Sequence, residues 1–162
     1  ARGDIGRAGG RERHDDPEVR GELVLAAILC GQGTDYTAAG ITTVLGHAIG
    51  ARYELDNGAV NAIVLPHVLQ FNADFASAAL AKVAAAMGLG STDTEQPLSM
   101  VLRTVTTIFD ALGMARRLRD LGVSQEDLPA IAESSMGDWF LRGNPRPVND
   151  ANELLEILRK AW

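Results

Sequence analysis

The residues best suited to chemistry lie between Thr43 and Asn61. Thr43 and His47 are one helical turn apart, so they share a face of the helix predicted there. A loop then brings Asp56 and Asn57 close, and the next predicted helix carries Asn61 near its start. A histidine can donate or accept a proton near neutral pH, and hydroxyl, carboxylate and amide groups can orient a substrate. This spacing favours a small-molecule cleft; the alternative is a histidine that only packs and hydrogen-bonds between helices.

Three glycines leave the predicted helix without side chains beside this candidate cleft. Gly40, Gly46 and Gly50 fall in an otherwise apolar helical stretch, where each costs about 1 kcal/mol of helix propensity relative to alanine. Glycines at such positions indicate a close neighbour, either another helix or a ligand. We therefore expect something to approach this helix closely.

Helical periodicity extends over nearly the whole chain. Apolar residues recur at helical rather than alternating spacing, and no stretch alternates over the length of a strand. The predicted helices cover eight stretches: Pro17 to Gly31–Gly33, about Asp35 to Gly50, about Gly58 to Phe71, residues 73–90, about Thr94 to Gly113, residues 114–122, residues 123–140, and Asn149 to Trp162. The expected N-caps are Asp16 followed by Pro17, Asp35, Thr94 with Pro97 in the first turn, Ser124 paired with Asp127, and Asn149. We predict an all-α protein, with a flexible arm over residues 1–16 and a single helical domain, a compact bundle of roughly seven helices, over residues 17–162.

Several residues outside the cleft receive structural roles. Cys30 lies in an apolar run and is expected to be buried rather than reactive. Trp139 and Phe140 are expected in the core, and Trp162 is expected to pack the last helix down. His67 follows a proline that frees a backbone carbonyl, which the imidazole could satisfy. The motif GNPRP is typical of a turn.

Composition and charge exclude several classes of function. The chain has 162 residues and a net charge of -6, which suits one acidic globular domain without the basic face that nucleic-acid binding requires. A single cysteine cannot form an internal disulfide, which indicates a reducing compartment. The apolar run from Leu23 to Cys30 is far shorter than the roughly 20 residues of a spanning helix, and the N-terminus lacks the apolar segment of a signal peptide. We expect a cytoplasmic protein that binds neither nucleic acid nor membrane.

Two segments carry a resemblance to a known family. They are GHAIGARYELDNGAVNAIVLPHVLQFN, residues 46–72, and MARRLRDLGVSQEDLPAIAESSMGDWFLRGNPRP, residues 114–147. In these segments the sequence resembles the iron-containing alcohol dehydrogenase superfamily, which includes the maleylacetate reductases and shares the dehydroquinate synthase-like fold. The resemblance covers residues 17–162. It implies the C-terminal helical domain of a two-domain enzyme whose N-terminal α/β domain binds the nicotinamide cofactor.

The metal site implied by this resemblance is changed here. The family pattern implies metal-binding histidines at Thr43 and Asn57, and we find no counterpart of its remaining aspartate and histidine ligands. Neither a hydroxyl nor an amide supplies the neutral imidazole that such a site uses. No glycine-rich phosphate loop follows a strand, so we predict no metal and no cofactor in this chain alone. The resemblance places His47 near the nicotinamide, at a position often assigned to proton transfer.

Three functions remain open. The first is a metal- and NAD-independent acid–base enzyme, such as a cyclase, isomerase or dehydratase, acting on a carbonyl, enol or polyketide-type small molecule. In it His47 and Asp56 are the catalytic residues, and the substrate is bound by Thr43, Tyr53, Asn57 and Asn61. The second is the helical subunit of a split NAD(P)-dependent oxidoreductase, completed by a separate chain. The third is a non-catalytic binding or dimerisation module. Since a helical domain without its partner half must cover an apolar surface, we expect a homodimer or a separate partner chain.

Overall fold

Helices account for all the regular secondary structure in the computed structural model, which describes residues 16–89 and 96–162. The α-helices are α1 (Pro17–Thr37), α2 (Ile41–Tyr53), α3 (Asn57–Asn72), α4 (Ser77–Ala86), α5 (Pro97–Ala111), α6 (Leu128–Ser135) and α7 (Ala151–Ala161), with short 3-10 helices at Leu118–Leu121, Gln125–Asp127 and Trp139–Gly143. No strand occurs in either described range. The prediction of an all-α protein with roughly seven helices is confirmed over the described residues.

The chain divides into two compact units, with the boundary after Ala38. In the first unit, α1 begins as predicted: the Asp16 carboxylate accepts the Glu18 N–H at 3.0 Å and Pro17 occupies the first turn. Described by itself, this helix contains no buried residue. The prediction that Cys30 is buried is therefore wrong, because α1 leaves this thiol exposed. The predicted arm falls almost wholly on residues 1–15, outside the described residues.

The end of α1 also differs from the prediction. The helix continues through Gly31 and Gly33 to Thr37 and ends where Ala38 takes a φ of 59°. The hydroxyl of Thr37 donates to the carbonyl of Gly33 at 2.9 Å, and that of Thr34 bonds in the same way one helical turn back along the chain. Asp35 therefore lies inside α1 and caps nothing, and α2 begins only at Ile41.

A single large core organises the second unit. Helices α2 and α3 pack against each other, α7 packs across α3 and α6, and α4 pairs with α5. Fully buried side chains at the centre of the core come from α2, α3, α6 and α7 and from the 3-10 helix Leu118–Leu121: Ile41, Leu45, Ile49, Val60, Val64, Leu118, Leu128, Ile131, Leu154 and Leu158. On α7 the apolar face formed by Leu154, Leu155 and Leu158 is buried. The core thus holds α2, which carries the candidate histidine, firmly against α3.

Helix caps correct three finer predictions. Asp150, not Asn149, caps α7, accepting the Asn152 N–H at 2.8 Å. Gln96 holds the N-cap position of α5, and the predicted cap Thr94 lies outside the described residues. Ser124 caps its short 3-10 helix, but its predicted partner Asp127 bonds to other residues.

The two tryptophans behave differently. Trp162 donates its indole N–H to the Val123 carbonyl at 2.8 Å and packs against the core, so it anchors the last helix as predicted. Trp139 is 64% exposed, so its predicted place in the core is wrong, and Phe140 beside it is only half-buried. No helix in the described ranges is both long enough and apolar enough to cross a membrane.

Candidate functional site

A histidine–carboxylate pair marks the outer face of α2. The Nδ1 atom of His47 lies 3.3 Å from Oδ2 of Asp138, which stands directly before the 3-10 helix Trp139–Gly143. The other oxygen of Asp138 accepts the Phe140 N–H at 2.9 Å and so caps that short helix. The His47 side chain is 45% exposed and that of Asp138 is 20% exposed. The imidazole can therefore reach a ligand while the carboxylate holds it from behind.

Two aromatic rings stand beside this imidazole. The Phe140 ring lies 5.7 Å from the His47 ring at a tilted angle of 55°. Trp139 stacks on Phe140 with ring centroids 3.9 Å apart and leaves most of its own surface exposed. The pair forms an aromatic edge next to the only histidine of α2.

Asn61 and Gly46 form the closest approach of α3 to α2. A Cβ atom added at Gly46 would overlap the side-chain oxygen of Asn61 and lie 3.2 Å from its Cγ. That oxygen is buried and accepts no hydrogen bond. Thr43, one turn before His47, is half-buried on the same helix. The predicted close neighbour of the α2 glycines is thus α3.

Asp56 and Asn57 occupy the entrance to α3. One oxygen of Asp56 accepts the Ala59 N–H at 2.9 Å, so the carboxylate caps the helix. Asn57 is exposed and places its side-chain oxygen where a Cβ of Gly50 would stand. The proposed catalytic role of Asp56 and the substrate-binding role of Asn57 stay predictions.

Tyr53 is engaged in a network at the end of α2. Its hydroxyl donates to Asp127 and accepts the Ser124 N–H at 3.0 Å. The Arg52 guanidinium also binds Asp127 with two nitrogens, at 2.7 and 3.3 Å. The Tyr53 hydroxyl and then Arg52 hold the pKa of the Asp127 carboxyl below its usual range, although its exposure to solvent weakens the effect. This network, which we call the Tyr53 latch, gives the tyrosine a structural role; its predicted substrate contact remains a prediction.

A pair of asparagines closes the other end of α3. Asn72 and Asn144 are both buried and exchange two amide hydrogen bonds, at 2.7 and 3.1 Å. Asn144 also accepts the Ile41 N–H at 3.4 Å and donates to the Arg146 carbonyl at 2.6 Å. Arg146 packs over the Phe71 ring at 4.0 Å and pairs with a glutamate of α7. The motif GNPRP was predicted to be a turn; Gly143 ends a 3-10 helix and the next residues bend, and the role of the motif in joining α2, α3 and α7 was missed.

His67 lies on α3, apart from the candidate cleft. Burial, and then the positive charge of Lys160, lowers the pKa of its imidazole. It lines a cavity of about 310 Å³ together with Arg146 and Lys160. The lowered pKa favours the neutral form of the imidazole. The predicted hydrogen bond from His67 to the carbonyl freed by Pro66 stays a prediction.

Comparisons with known proteins identify the family of this chain. Residues 10–162 match the profile of the Fe-containing alcohol dehydrogenase family, C-terminal. The chain belongs to this family.

Its similarity to individual family members is moderate and covers only part of them. The lactaldehyde reductase of Escherichia coli K12 is 31% identical over 149 residues, which is 91% of this chain and 39% of that protein. The 1,3-propanediol dehydrogenase of Citrobacter freundii is 30% identical, over 90% of this chain and 38% of that protein. The crystal structure of a 1,3-propanediol oxidoreductase superposes with a TM-score of 0.68 at 28% identity and covers 76% of this chain and 32% of that one. The chain therefore spans about two-fifths of the length of these relatives.

The residues described here do not fit the metal that gives the family its name. No three histidine, cysteine, aspartate or glutamate side chains within residues 16–89 and 96–162 are grouped to hold an ion. At the two positions where the family pattern implies imidazole ligands, Thr43 and Asn57 offer a hydroxyl and an amide, which are weak ligands for iron or zinc. Among the described residues, His47 and Asp138 form a pair of an exposed imidazole and a carboxylate within hydrogen-bond distance.

Sequence reasoning found one partner of this pair and missed the other. His47 was identified from its helical spacing and from the family resemblance. Asp138 is 91 residues away in the chain, and it was treated only as part of the helix predicted over residues 123–140. A usable signal was present, since aspartate is among the residues preferred at an N-cap, and Asp138 caps the 3-10 helix Trp139–Gly143.

Proposed function

We propose that this chain forms the helical half of an alcohol or aldehyde oxidoreductase site, in which His47 exchanges the proton that accompanies hydride transfer. The observation that supports this most directly is the 3.3 Å contact between the exposed imidazole and Asp138 in a chain of this family. Curated relatives are named lactaldehyde reductase and 1,3-propanediol dehydrogenase, so the substrate class is a small alcohol or aldehyde.

The chemistry divides between this chain and a nucleotide-binding half. Reduction of an aldehyde adds a hydride to carbon and a proton to oxygen; a bound nicotinamide would supply the hydride. His47 would donate the proton to the alkoxide oxygen and recover it from solvent through its exposed edge. Thr43, one turn away on α2, would hydrogen-bond the same oxygen, and Asn57 and Asn61 would line the wall toward α3.

The nucleotide-binding half comes from polypeptide outside the described residues, either a separate partner chain or further sequence. A homodimer would cover part of the exposed apolar surface, which includes Phe75, Ile108 and Leu112 in the second unit. We expect the assembled protein in the cytoplasm, without a nucleic-acid or membrane partner.

Reconstitution tests the proposal directly. The chain is co-expressed with the N-terminal nucleotide-binding domain of the E. coli lactaldehyde reductase, and NADH- or NADPH-dependent reduction of lactaldehyde is measured. We expect turnover only when both parts are present, and His47→Ala to lower kcat by about a hundredfold or more. His67→Ala is the matched control, because that histidine lies on another face, and it should leave kcat within about twofold. Full turnover in His47→Ala would remove the catalytic role.

A second candidate is the acid–base enzyme that needs no cofactor. It is favoured by the fact that the His47–Asp138 pair is complete within this chain, as a cyclase, isomerase or dehydratase acting on a carbonyl, enol or polyketide-type substrate would require. Such an enzyme should let the chain alone exchange the protons next to the carbonyl of a simple β-diketone for deuterium. No exchange above the His47→Ala background would exclude this second candidate.

A further inference from the structure

We propose that Asp138 is a positioning residue that holds His47 in one tautomer, with Nδ1 protonated and Nε2 presented as the acceptor and donor toward substrate. The inference deepens the proposed function, because it states which nitrogen of His47 performs the proton exchange. No side chain other than Asp138 is described in hydrogen-bond contact with this imidazole.

The two oxygens of Asp138 have separate tasks. Oδ1 accepts the Phe140 N–H at 2.9 Å, and Oδ2 lies 3.3 Å from Nδ1 of His47. An ionised carboxylate can only accept hydrogen bonds, so Nδ1 must carry the hydrogen in this contact. The neutral ring then has its lone pair on Nε2, the nitrogen farther from Asp138.

The backbone prevents the carboxylate from turning away. Asp138 has an extended conformation, φ −77° and ψ 124°, and its side chain caps the 3-10 helix that follows. A rotation that released Oδ2 would also break the cap, which leaves the Phe140 N–H without its acceptor. The same 3-10 helix also places the Phe140 ring against the imidazole, with Trp139 stacked behind it. One short segment therefore fixes both the hydrogen bond and the plane of the ring.

The exposed fractions of the His47 and Asp138 side chains agree with a fixed carboxylate and an imidazole that meets the substrate. The carboxylate side chain is 20% exposed and the imidazole 45%, so the imidazole is the more accessible partner. A carboxylate that merely formed a surface ion pair would contribute little and would not select a tautomer. Here the capped oxygen makes the second oxygen a fixed acceptor.

The Asp138→Asn variant keeps the helix-capping function of residue 138 and changes only its effect on the His47 tautomer. Asparagine is as good an N-cap as aspartate, so its side-chain oxygen keeps the Phe140 hydrogen bond. Its amide group would then face Nδ1 as a donor, which requires the lone pair on Nδ1 and moves the hydrogen to Nε2. Asp150→Asn is the matched control, because Asp150 is likewise a capping aspartate, at the start of α7, and has no contact with His47 among its described hydrogen bonds.

The tautomers are read by two-bond ¹H–¹⁵N correlation spectra of the full chain at a pH about two units above the ordinary histidine range. A His47→Gln variant assigns the signals. We expect the Nδ1–H pattern in the native chain and in Asp150→Asn, and the Nε2–H pattern in Asp138→Asn. A native chain with the mixed pattern of an unfolded histidine, or an unchanged pattern in Asp138→Asn, would overturn the inference. Asp138→Ser, which keeps a capping hydroxyl but is too short to reach the ring, should give the mixed pattern.

Activity of the reconstituted enzyme is a separate readout. There Asp138→Asn should lower kcat by about tenfold or more with KM changed by less than about threefold, because the ring is misprotonated rather than removed. If the tautomer changes while kcat does not, positioning is correct and the proposed role of His47 in turnover is wrong. If the spectra show no selection, the positioning inference fails whatever the activity.

Discussion

Asp127 concentrates the polar contacts at the end of α2. It binds the Tyr53 hydroxyl and two nitrogens of Arg52, and Tyr53 in turn accepts the Ser124 N–H. This latch ties the last turn of α2 to the segment that enters α6. Its members are partly exposed, so their stabilising effect comes from the number and geometry of the bonds rather than from burial.

Tyr53→Phe removes the central hydroxyl of the latch while keeping the ring. We expect the melting temperature to fall by about 3 to 8 °C, since Asp127 and the Ser124 N–H each lose one partner. Circular dichroism melts at neutral pH measure the change. Tyr36→Phe serves as the control, because Tyr36 is 96% exposed on α1 and should melt like the native chain. Equal melting temperatures for all three proteins would contradict the latch.

The pH dependence of this effect has a defined sign. The Tyr53 hydroxyl and Arg52 lower the pKa of Asp127 in the folded state, so their stabilisation is present above the ordinary aspartate value of about 3.9. It is lost as the pH falls through the lowered folded value. The difference in unfolding midpoint between native chain and Tyr53→Phe should therefore be constant from pH 7 to 5 and shrink below about pH 4. Urea titrations at four pH values check this; a difference that grows on acidification would exclude it.

At the residue scale, the sequence identified candidate polar residues more readily than the residues they contact in the fold. His47, Thr43 and Asn57 were found because their spacing along one helix and the next is local. Asp138 was missed, and Asp127 was paired with Ser124 instead of Tyr53, since both carboxylates find their partners across the fold. The role of Asn61 as a buried acceptor without a donor also depends on a neighbouring helix.

Close packing of α2 on α3 is the element-scale feature that shapes the candidate cleft. Gly46 and Gly50 lie on the α2 face where Asn61 and Asn57 of α3 approach. Any side chain at these glycines would separate the helices or displace the asparagines. The helix-propensity cost of the glycines is thus offset by a close helix–helix contact.

Gly46→Ala should lower the free energy of unfolding by about 1 to 3 kcal/mol, because the added Cβ overlaps the Asn61 side chain. In an Asn61→Ala background the same change should be neutral or stabilising, since the overlap is gone and alanine favours the helix. Urea unfolding of the four proteins completes the cycle. Gly137→Ala is the control, because a Cβ there meets only the Ser134 carbonyl at 3.7 Å and should be tolerated. Additive effects of the two substitutions would refute the contact.

Most helices were predictable at this scale, but the helix predicted over residues 114–122 is only the 3-10 helix Leu118–Leu121, and several helix ends differ from the prediction. The positions of α3 and α5 agree with the prediction because an aspartate cap or a proline in the first turn marks their starts. The gap between α1 and α2 was misplaced, since Gly31 and Gly33 were interpreted as a helix end. The helix is unbroken at these glycines, and the hydroxyls of Thr34 and Thr37 donate to carbonyls one turn earlier. Gly40 is the N-cap residue of α2.

At the scale of the whole molecule, the second unit contains a complete core of its own. The main buried cluster extends from Ile41 on α2 to Ala161 on α7 and includes no residue before Ala39. A smaller cluster of Ala84, Met100 and Val101 joins α4 to α5. This unit should therefore fold by itself, whereas α1 has no buried residue to stabilise it.

Deletion of residues 1–38 should leave the remaining chain folded, with a single cooperative thermal transition within about 5 °C of the full-length protein. The loss of α1 should appear as a smaller helical signal in circular dichroism. A deletion of similar kind at the other end, residues 149–162, is the contrasting control. It removes Leu154 and Leu158 from the core and should abolish the transition. An unfolded 39–162 fragment would show that the first unit is needed for folding.

What the sequence determined by itself is the helical class, the family, and the presence of a histidine on one face of the second helix. These follow from periodicity, caps and motifs, which are properties of residues close together along the chain. Only the tertiary structure decided which groups meet: Asp138 with His47, Asp127 with Tyr53, and Asn144 with Asn72, pairs separated by 91, 74 and 72 residues. The physical reason is that a side chain's distant partners are chosen by how the helices pack, and that packing minimises the free energy of the whole core rather than of any one segment.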